Sequence, residues 1–353
     1  MNILITGSNG FVGSRLMWEL DRLGHQVQGI DLSAHCDAVP HPKTLIGDIR
    51  TPADLKSVAG AFELENNAEF DLIIHCAAAK HDFGIKRGDY FSHNKYGTKT
   101  LLEFASQRGI RRLVYLSTVS VFGHPIGPAD EDAPYAPDHP YGESKLAGEL
   151  LCVDWQKKDP LRELIVLRPT VIFGPHNFAN MYKLLDTMHR RPWVMVGKGD
   201  HVKSVVSLDT VTGMVIFALG LLQPGFQHFN CVDEPYLTLH ELMRLIASQP
   251  GFRMPRVTIP IQLAVGIGRI FDLPAKLLGI DLPINSDRMK KFATETNFLA
   301  ARIRAAGFVQ TTSIASSVAE MCAWYLQNPP KEPRIEKDQI RLDRLRPHLQ
   351  KPL

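Results

Sequence analysis

The sequence has few cysteines, no long apolar run and no strong excess of one charge. Its five cysteines among 353 residues are scattered and odd in number, which argues against a disulfide framework and favours reduced thiols. The longest apolar stretch, around residues 259–268, is too short to span a bilayer. Because a strand-like run starts at residue 2, we expect no signal peptide. A net charge of +3 argues against a nucleic-acid-binding protein, which usually carries a basic stripe.

The remaining composition is typical of a globular protein in the cytoplasm, with 44% apolar and 22% charged residues. His35, Cys36 and His41 are close in sequence, but Pro40 and Pro42 make this segment a loop, so we predict no metal site. We therefore expect a cytoplasmic protein that neither inserts stably into a membrane nor binds nucleic acid.

Short apolar strands alternate with amphipathic helices through the first half of the chain. The strands are predicted at residues 2–6, 26–31, 44–48, 71–78, 112–118 and 163–170. Helical patterns follow the first glycine-rich turn and recur over residues 52–59, 90–107 and 141–156. Because unbroken apolar strands between such helices are typical of a parallel sheet covered on both faces, we predict an α/β fold with a doubly wound (Rossmann) sheet.

After Pro169 the alternation gives way to shorter pieces separated by proline and glycine. We predict a dinucleotide-binding domain over residues 1–170, to whose sheet residues 204–232 return. Residues 171–203 and 233–328 then form a smaller, discontinuous α+β lobe that binds the substrate. Residues 329–353 form a charged tail, in which positions 331–353 hold seven Lys/Arg and four Asp/Glu.

A glycine-rich turn, TGSNGFVG, joins the first strand to the first helix. Gly7, Gly10 and Gly13 let the backbone approach a pyrophosphate, and the helix N-terminus supplies amide donors. Asp31 follows Gly7 by 24 residues, at the end of the second strand, where a carboxylate can bind the ribose hydroxyls. No Arg or Lys lies between Asp31 and Lys43 to neutralise a ribose phosphate. The turn alone could be a tight strand-to-helix connection, but in this context it predicts NAD binding rather than NADP.

Tyr141 and Lys145 are four residues apart on a predicted helix and therefore share one face. They could be an ordinary surface pair. Alternatively, the lysine ammonium favours ionisation of the phenol, so that Tyr141 exchanges a proton with a substrate alcohol. Thr118 ends the fifth strand at the carboxyl edge of the sheet, where ligands of this fold class bind. Its hydroxyl either satisfies a local amide or holds the reacting oxygen.

These motifs resemble the extended short-chain dehydrogenase/reductase family, in its NAD-dependent epimerase/dehydratase branch. The segments that carry the resemblance are TGSNGFVG, Asp31, GDI at 47–49, HCAA at 75–78, Asn94 with Gly97 and Thr98, STVSVFG, YGESK and LRPTVIFGP. The resemblance implies that Tyr141 is the base, that Lys145 orients the nicotinamide ribose and that Thr118 holds the substrate oxygen. It also implies that Asp48 and Ile49 flank the adenine.

The family pattern extends to a larger set of positions. Those expected to bind the cofactor are Gly7, Asn9, Gly10, Phe11, Val12, Gly13, Asp31, Asp48, Ile49, Cys76, Ala77, Ala78, Asn94, Ser117, Tyr141, Lys145, Pro169 and Val171. In related nucleotide-sugar enzymes the second lobe binds a nucleoside diphosphate. The candidates for substrate contact here are Lys80, Val119, Asn180, Lys183, Lys198, Lys203 and Arg269, although a lone cation is more often a solvated surface residue.

The resemblance implies an NAD-dependent enzyme acting on the 4-position of a nucleotide-linked sugar, with UDP as the expected nucleotide, in surface polysaccharide synthesis. Related dehydratases carry acids directly after the strand-five threonine, whereas this chain has Val119 and Ser120, so a 4-epimerase or 4-ketoreductase is expected instead. Val171 also replaces an asparagine that many sugar epimerases carry. Two alternatives remain open: a hydroxysteroid- or flavonol-type dehydrogenase, favoured by the apolar run at 259–283, and a non-catalytic NAD-binding scaffold or redox sensor.

Many members of the family form homodimers through the two helices predicted at 90–107 and 141–156. Leu101, Leu102, Leu150 and Val153 are the candidates for an apolar seam, although the same side chains could pack on the sheet.

Overall fold

The computed structural model describes residues 1–36, 38–80, 85–190, 193–266 and 294–330. Its strands are β1 Asn2–Thr6, β2 Gln26–Asp31, β3 Thr44–Ile46, β4 Leu72–His75, β5 Arg112–Leu116, β6 Glu163–Pro169, β7 Val171–Phe173, β8 Val194–Val196, β9 Val205–Ser207, β10 Gly225–Cys231 and β11 Val257–Ile259. Seven of them form one sheet in the order β3-β2-β1-β4-β5-β6-β10, with every neighbouring pair parallel. The predicted doubly wound parallel sheet is confirmed.

Helices cover both faces of this sheet. The helices of the described residues, including those outside this sheet, are α1 Phe11–Arg22, α2 Pro52–Asn66, α3 Arg87–Phe91, α4 Thr98–Gln107, α5 Pro140–Lys157, α6 Asn180–Arg190, α7 Leu208–Leu219, α8 Leu239–Ala247, α9 Ala301–Ala305 and α10 Ile314–Gln327. Successive residues of β1 point to opposite faces, so Ile3 packs in the apolar cluster with α1 and α7, and Leu4 in the cluster with α2, α4 and α5. No helix within the described ranges is long and apolar enough to cross a bilayer.

A third apolar cluster lies away from the large sheet and defines what we call the small lobe. Its buried side chains come mainly from α6, α8 and α10, and include Leu185, Met243 and Met321. Beside it, β7 pairs with β9 and β8 pairs with β11 in two short parallel ladders. Within residues 204–232, β10 therefore returns to the large sheet, whereas β9 does not. All seven residues of β10 pair with β6. β10 therefore occupies the edge of β6 with which β9 would have to pair to join the large sheet. The domain boundaries themselves remain a prediction.

The predicted helix over residues 90–107 is not continuous. A wider turn of π geometry, Ser92–Gly97, lies between α3 and α4. π turns of this kind are rare and occur often at functional sites. Of the four leucine and valine side chains expected at a dimer seam, Leu101 and Leu102 are buried in the core of this chain, while Leu150 is exposed and Val153 half-buried. The homodimer remains a prediction, and Leu101 and Leu102 are not available to it.

Candidate active site

The glycine-rich turn lies between β1 and α1, at the carboxyl edge of the sheet. A Cβ atom on Gly13 would overlap the carbonyl oxygen of Gly7, so only glycine allows the turn to close this tightly. Phe11 is the first residue of α1, and the amides of that first turn are oriented toward the edge. The amide oxygen of Asn9 is buried and has no hydrogen-bond partner among the described residues. A polar ligand that approaches this backbone closely would fit both observations.

Asp31 ends β2 next to this turn. Its carboxylate accepts hydrogen bonds from the backbone amides of Asn9 and Ser33, each at 2.9 Å. Asn9 in turn donates through its side chain to the carbonyl oxygen of Ser33 at 2.7 Å. These bonds hold the carboxylate where the second strand ends, which is the position at which this fold class binds an adenosine ribose.

Asp48 and Ile49 follow β3, as the predicted adenine contacts. Arg50, which the sequence analysis did not single out, binds the Asp48 carboxylate with two nitrogens, Nε at 3.0 Å and Nη2 at 2.6 Å. Burial opposes ionisation of Asp48, but the hydrogen bonds and charge of Arg50 lower the pKa of Asp48 below its usual range. Ile49 is buried against Gly97 of the π turn. The segment predicted to contact adenine is therefore organised by an ion pair.

Asn94 connects the segment after β4 to α5. Its side-chain oxygen accepts from the amide of Ala79 at 2.7 Å, and its nitrogen donates to the carbonyl of Ala79 at 3.0 Å and to Ser144 Oγ at 2.9 Å. Ser144 Oγ is within 2.8 Å of the carbonyl oxygen of Tyr141, to which it donates. Asn94 thus fixes the predicted cofactor segment Cys76, Ala77 and Ala78 relative to the helix that carries the Tyr–Lys pair.

Tyr141 and Lys145 lie in the first two turns of α5. Tyr141 is half-buried, and its ring centroid is 6.2 Å from that of Tyr90. Lys145 is only 1% exposed, and its ammonium lies 4.2 Å from the centroid of the Tyr115 ring. Burial lowers the pKa of Lys145 to about 8. A lysine buried to this degree is held in one place, unlike a surface pair.

Thr118 follows β5 and caps a short 3₁₀ turn, Val119–Phe122. Its hydroxyl oxygen accepts from the amide of Ser120 and donates to Ser120 Oγ, both at 3.2 Å. The local role weighed for this hydroxyl is thus present, and its role toward a substrate remains a prediction. A Cβ on Gly142 would lie 2.6 Å from the carbonyl oxygen of Ser120. The glycine beside Tyr141 therefore allows α5 to begin directly against the turn that Thr118 caps.

A buried polar cluster that the sequence analysis missed lies behind these residues. Glu149, one helical turn after Lys145, accepts from Ser117 Oγ at 2.6 Å and from Arg168 Nη2 at 2.6 Å. Ser117 was expected at the cofactor, and in the structure its hydroxyl bonds Glu149. The available signal was the charge of Arg168 within the apolar strand ELIVLRPT, together with Glu149 four residues after Lys145. Pro169 is buried at the end of β6, whereas Val171 is 41% exposed.

The predicted substrate residues occupy separate elements. Lys203 precedes β9 and donates to the carbonyl oxygen of Thr294, and burial lowers the pKa of Lys203 to about 8. Val119 is buried and Lys183 half-buried, whereas Lys80, Asn180 and Lys198 are exposed. Arg269 lies outside the described residues. No group of three or more His, Cys, Asp or Glu in the described ranges could hold a metal ion.

A cavity of about 470 Å³ lies between α1, the residues after β7, the start of α7 and α10. Its lining is mainly apolar and includes Trp18, Phe173 and Leu208. The described residues that line it include Phe11 but not Thr118, Tyr141 or Lys145. The cavity is therefore a separate feature from the Tyr–Lys end of the site.

A doubly wound sheet with a glycine-rich turn after β1, and a tyrosine and lysine on the helix packed beside β5, is typical of dinucleotide-dependent oxidoreductases. The chain belongs to the NAD dependent epimerase/dehydratase family, whose model matches residues 3–231. The resemblance found in the sequence is confirmed. The prediction of NAD as the cofactor is confirmed with it, because the family depends on NAD.

Relatives match most of the chain. The N-acetyl-alpha-D-glucosaminyl-diphospho-ditrans,octacis-undecaprenol 4-epimerase of Escherichia coli O157:H7 is 30% identical over 321 residues, covering 90% of this chain and 93% of that protein. The UDP-glucose 4-epimerase of Vibrio cholerae is 27% identical, covering 79% of this chain and 85% of that protein. The solved structure of UDP-glucuronic acid 4-epimerase from Bacillus cereus with NAD aligns over 93% of this chain and 99% of that chain. Its TM-score is 0.70 at 20% identity, which supports the fold alone.

Proposed function

We propose that this protein is an NAD-dependent 4-epimerase of a sugar that is joined through a diphosphate to a carrier. The observation that carries the proposal is the geometry at the start of α5. There Tyr141 is half-buried beside a fully buried Lys145, and Gly142 brings the same helix turn against the segment that follows Thr118. This arrangement places a phenol, an ammonium and a hydroxyl at one edge of the sheet.

The chemistry follows from these groups. Tyr141 removes the proton of the sugar 4-hydroxyl and returns it after the carbon has been reduced again. The Lys145 ammonium stabilises the phenolate, since it is excluded from water and its charge is poorly screened. Thr118 donates its hydroxyl hydrogen to the sugar oxygen in place of Ser120 Oγ. A bound NAD would supply the hydride acceptor for C4 and, once reduced, the hydride donor that re-forms the carbinol on the opposite face of the sugar.

The chain's own residues would hold the cofactor along the sheet edge. The turn that ends at Gly13 would receive the pyrophosphate, Asp31 the adenosine ribose, and Lys145 the nicotinamide ribose. The Asp48–Arg50 pair and Ile49 would flank the adenine. The amide oxygen of Asn9, buried and without a hydrogen-bond partner among the residues that the structure describes, supports a ligand at this turn.

Epimerisation is favoured over dehydration because the positions after Thr118 hold Val119, which is buried, and Ser120. Neither side chain can act as the acid or base that elimination of water requires. A 4-ketoreductase would use the same three groups. We favour the epimerase because the two relatives that cover 90% and 79% of this chain are 4-epimerases.

The relative that covers 90% of this chain acts on a diphospho-undecaprenol sugar, and the relative that covers 79% acts on UDP-glucose. In both of these substrates the sugar is joined to a diphosphate. We therefore propose N-acetylglucosaminyl-diphospho-undecaprenol as the first substrate to test and UDP-linked sugars as the second. A role in surface polysaccharide synthesis, a cytoplasmic location and a homodimer belong to the same proposal.

The test is to incubate the purified protein with NAD and each substrate, then identify the sugar released from the diphosphate by chromatography and NMR. We expect the 4-epimer to form without net change in absorbance at the NADH wavelength. Stoichiometric consumption of NADH with a 4-keto sugar would identify a ketoreductase instead. If no diphosphate sugar reacts and a hydroxysteroid or flavonol is oxidised, the alternative dehydrogenase is correct. If NAD binds and nothing reacts, the scaffold hypothesis is restored.

A further inference from the structure

Glu149 is the centre of a buried cluster directly behind the proposed catalytic residues. The Glu149 and Arg168 side chains are 0% and 1% exposed and form an ion pair, Nη2 to Oε1, of 2.6 Å. The same carboxylate accepts from Ser117 Oγ at 2.6 Å and from the Tyr135 hydroxyl at 2.8 Å. Arg168 also donates to the Tyr135 hydroxyl at 2.6 Å and to the carbonyl oxygen of Glu131. One carboxylate thus connects α5, β6, the end of β5 and the loop before α5.

Two of these connections lead to the proposed catalytic groups. Ser117 is the residue before Thr118, so its bond to Glu149 determines how far the end of β5 lies from α5. Lys145 is one helical turn before Glu149 on the same face of α5. The end of β5 next to Thr118 and the turn of α5 next to Lys145 are therefore joined through Glu149.

Glu149 also contributes a charge that other neighbours of Lys145 do not. Cys76 and Cys152 are near Lys145, but burial raises the pKa of Cys76 to about 12 and that of Cys152 further, so both are neutral thiols at pH 7. His75 is buried, and its pKa is lowered to about 3 by that burial, so it too is neutral. Among the described residues that act on the pKa of Lys145, Glu149 is the carboxylate that favours its ammonium form.

We propose that Glu149 is a positioning residue for the epimerase reaction: its carboxylate bonds Ser117, the neighbour of Thr118, to α5, and its charge, one helical turn from Lys145, favours the ammonium form of that lysine. Arg168 allows this carboxylate to remain buried. The expected effects on kcat and kcat/KM rest on the proposed function. The expected effect of Glu149 on the titration of Lys145 does not depend on turnover.

A matched pair of variants tests the geometric part. Ser117→Ala and Tyr135→Phe each remove one hydroxyl donor from the same carboxylate, but only Ser117 adjoins Thr118. We expect Ser117→Ala to lower kcat about tenfold or more, since small displacements of reacting groups are costly, with the Kd for NAD changed less than about twofold. Tyr135→Phe should lower kcat less than about threefold. Equal effects of the two variants, or wild-type kcat in Ser117→Ala, would overturn the geometric role.

A second comparison tests the role of the charge. Glu149→Gln alone leaves Arg168 buried without a counter-ion and is expected to fold poorly, so the double variant Glu149→Gln/Arg168→Met removes both charges together. We expect it to fold and bind NAD, with the alkaline limb of kcat/KM displaced to lower pH than in the wild type. The reason is that Glu149 is among the groups that act on the pKa of Lys145 and Arg168 is not, so the loss of the carboxylate outweighs the loss of the guanidinium. A structural defect alone would lower the rate without moving that limb.

The titration of Lys145 is also followed by NMR of lysine-labelled protein without substrate, with Lys145→Met assigning the signal. A wild-type protein without epimerase activity would refute the proposed function and leave this readout intact. An unchanged Lys145 titration in the double variant would overturn the charge role. If the double variant does not fold, Glu149→Asp is titrated instead. This variant keeps the charge but shortens the side chain, so we expect the wild-type titration of Lys145 together with a lower kcat. A shifted Lys145 titration in Glu149→Asp would contradict the inference.

Discussion

The carboxyl edge of the large sheet and the small lobe hold their predicted site residues in different ways. At the sheet edge, Lys145, Asn94 and Asp31 are buried or half-buried and are placed by several elements at once. In the small lobe, Asn180 and Lys198 are exposed, each on its own element. The comparison teaches that packing within the protein already fixes the residues predicted at the sheet edge.

Lys203 is the exception within the small lobe. Burial lowers its pKa to about 8, as it does for Lys145, and its ammonium donates to the carbonyl oxygen of Thr294. A lysine that is already partly desolvated and directed by a backbone carbonyl would bind a diphosphate more strongly than an exposed lysine. The contrast between the two regions can therefore be tested at three points.

The largest effect is expected at the sheet edge. Tyr141→Phe keeps the ring and removes the hydroxyl that exchanges the proton, so we expect turnover to fall about 10³-fold with NAD affinity changed less than about twofold. Initial rates and NAD titration by fluorescence measure the two quantities. Tyr96→Phe, at an exposed tyrosine of the π turn, is the control and should be neutral. Turnover retained in Tyr141→Phe would show that the prepared edge is not where the reaction occurs.

The next effect concerns how the edge is packed. Gly142→Ala places a methyl group 2.6 Å from the carbonyl oxygen of Ser120, so α5 must move away from the turn capped by Thr118. We expect the free energy of unfolding to fall by about 1–3 kcal/mol, with loss of turnover. Gly60 lies in α2, where an added Cβ atom would meet nothing within 4 Å. Gly60→Ala should therefore raise the free energy of unfolding by about 0.5–1 kcal/mol. Urea unfolding compares the two, and equal responses would mean that the close approach at Gly142 is not required.

The smallest effect is expected in the small lobe. Lys203→Met should raise KM for the diphosphate sugar about tenfold, the loss expected for one charge-assisted hydrogen bond, with kcat little changed. Lys198→Met, at an exposed lysine of the same lobe, should raise KM less than about twofold. Steady-state kinetics on both variants decide this. A larger effect at Lys198 would reverse the distinction between the buried and the exposed cation.

What the sequence alone determined about this protein is the part that depends on local pattern. Alternating apolar strands and helices predict the parallel sheet, because those strands can be buried only between two helical layers. Gly7, Gly10 and Gly13 together with Asp31 predict the dinucleotide turn, and the four-residue spacing of Tyr141 and Lys145 predicts a shared helix face. Each of these inferences needs only residues that are close in the chain or a motif of known geometry.

The tertiary structure alone decided the contacts between distant segments. Glu149 meets Ser117 and Arg168 across 32 and 19 positions of sequence, and Gly142 is needed because Ser120 lies against it in space. It also decided that β9 pairs with β7, since β10 occupies the edge of β6. Such contacts depend on how the packed layers meet. Hydrophobic periodicity in the sequence predicts that one face of a helix or strand is buried, but it does not identify the element against which that face packs.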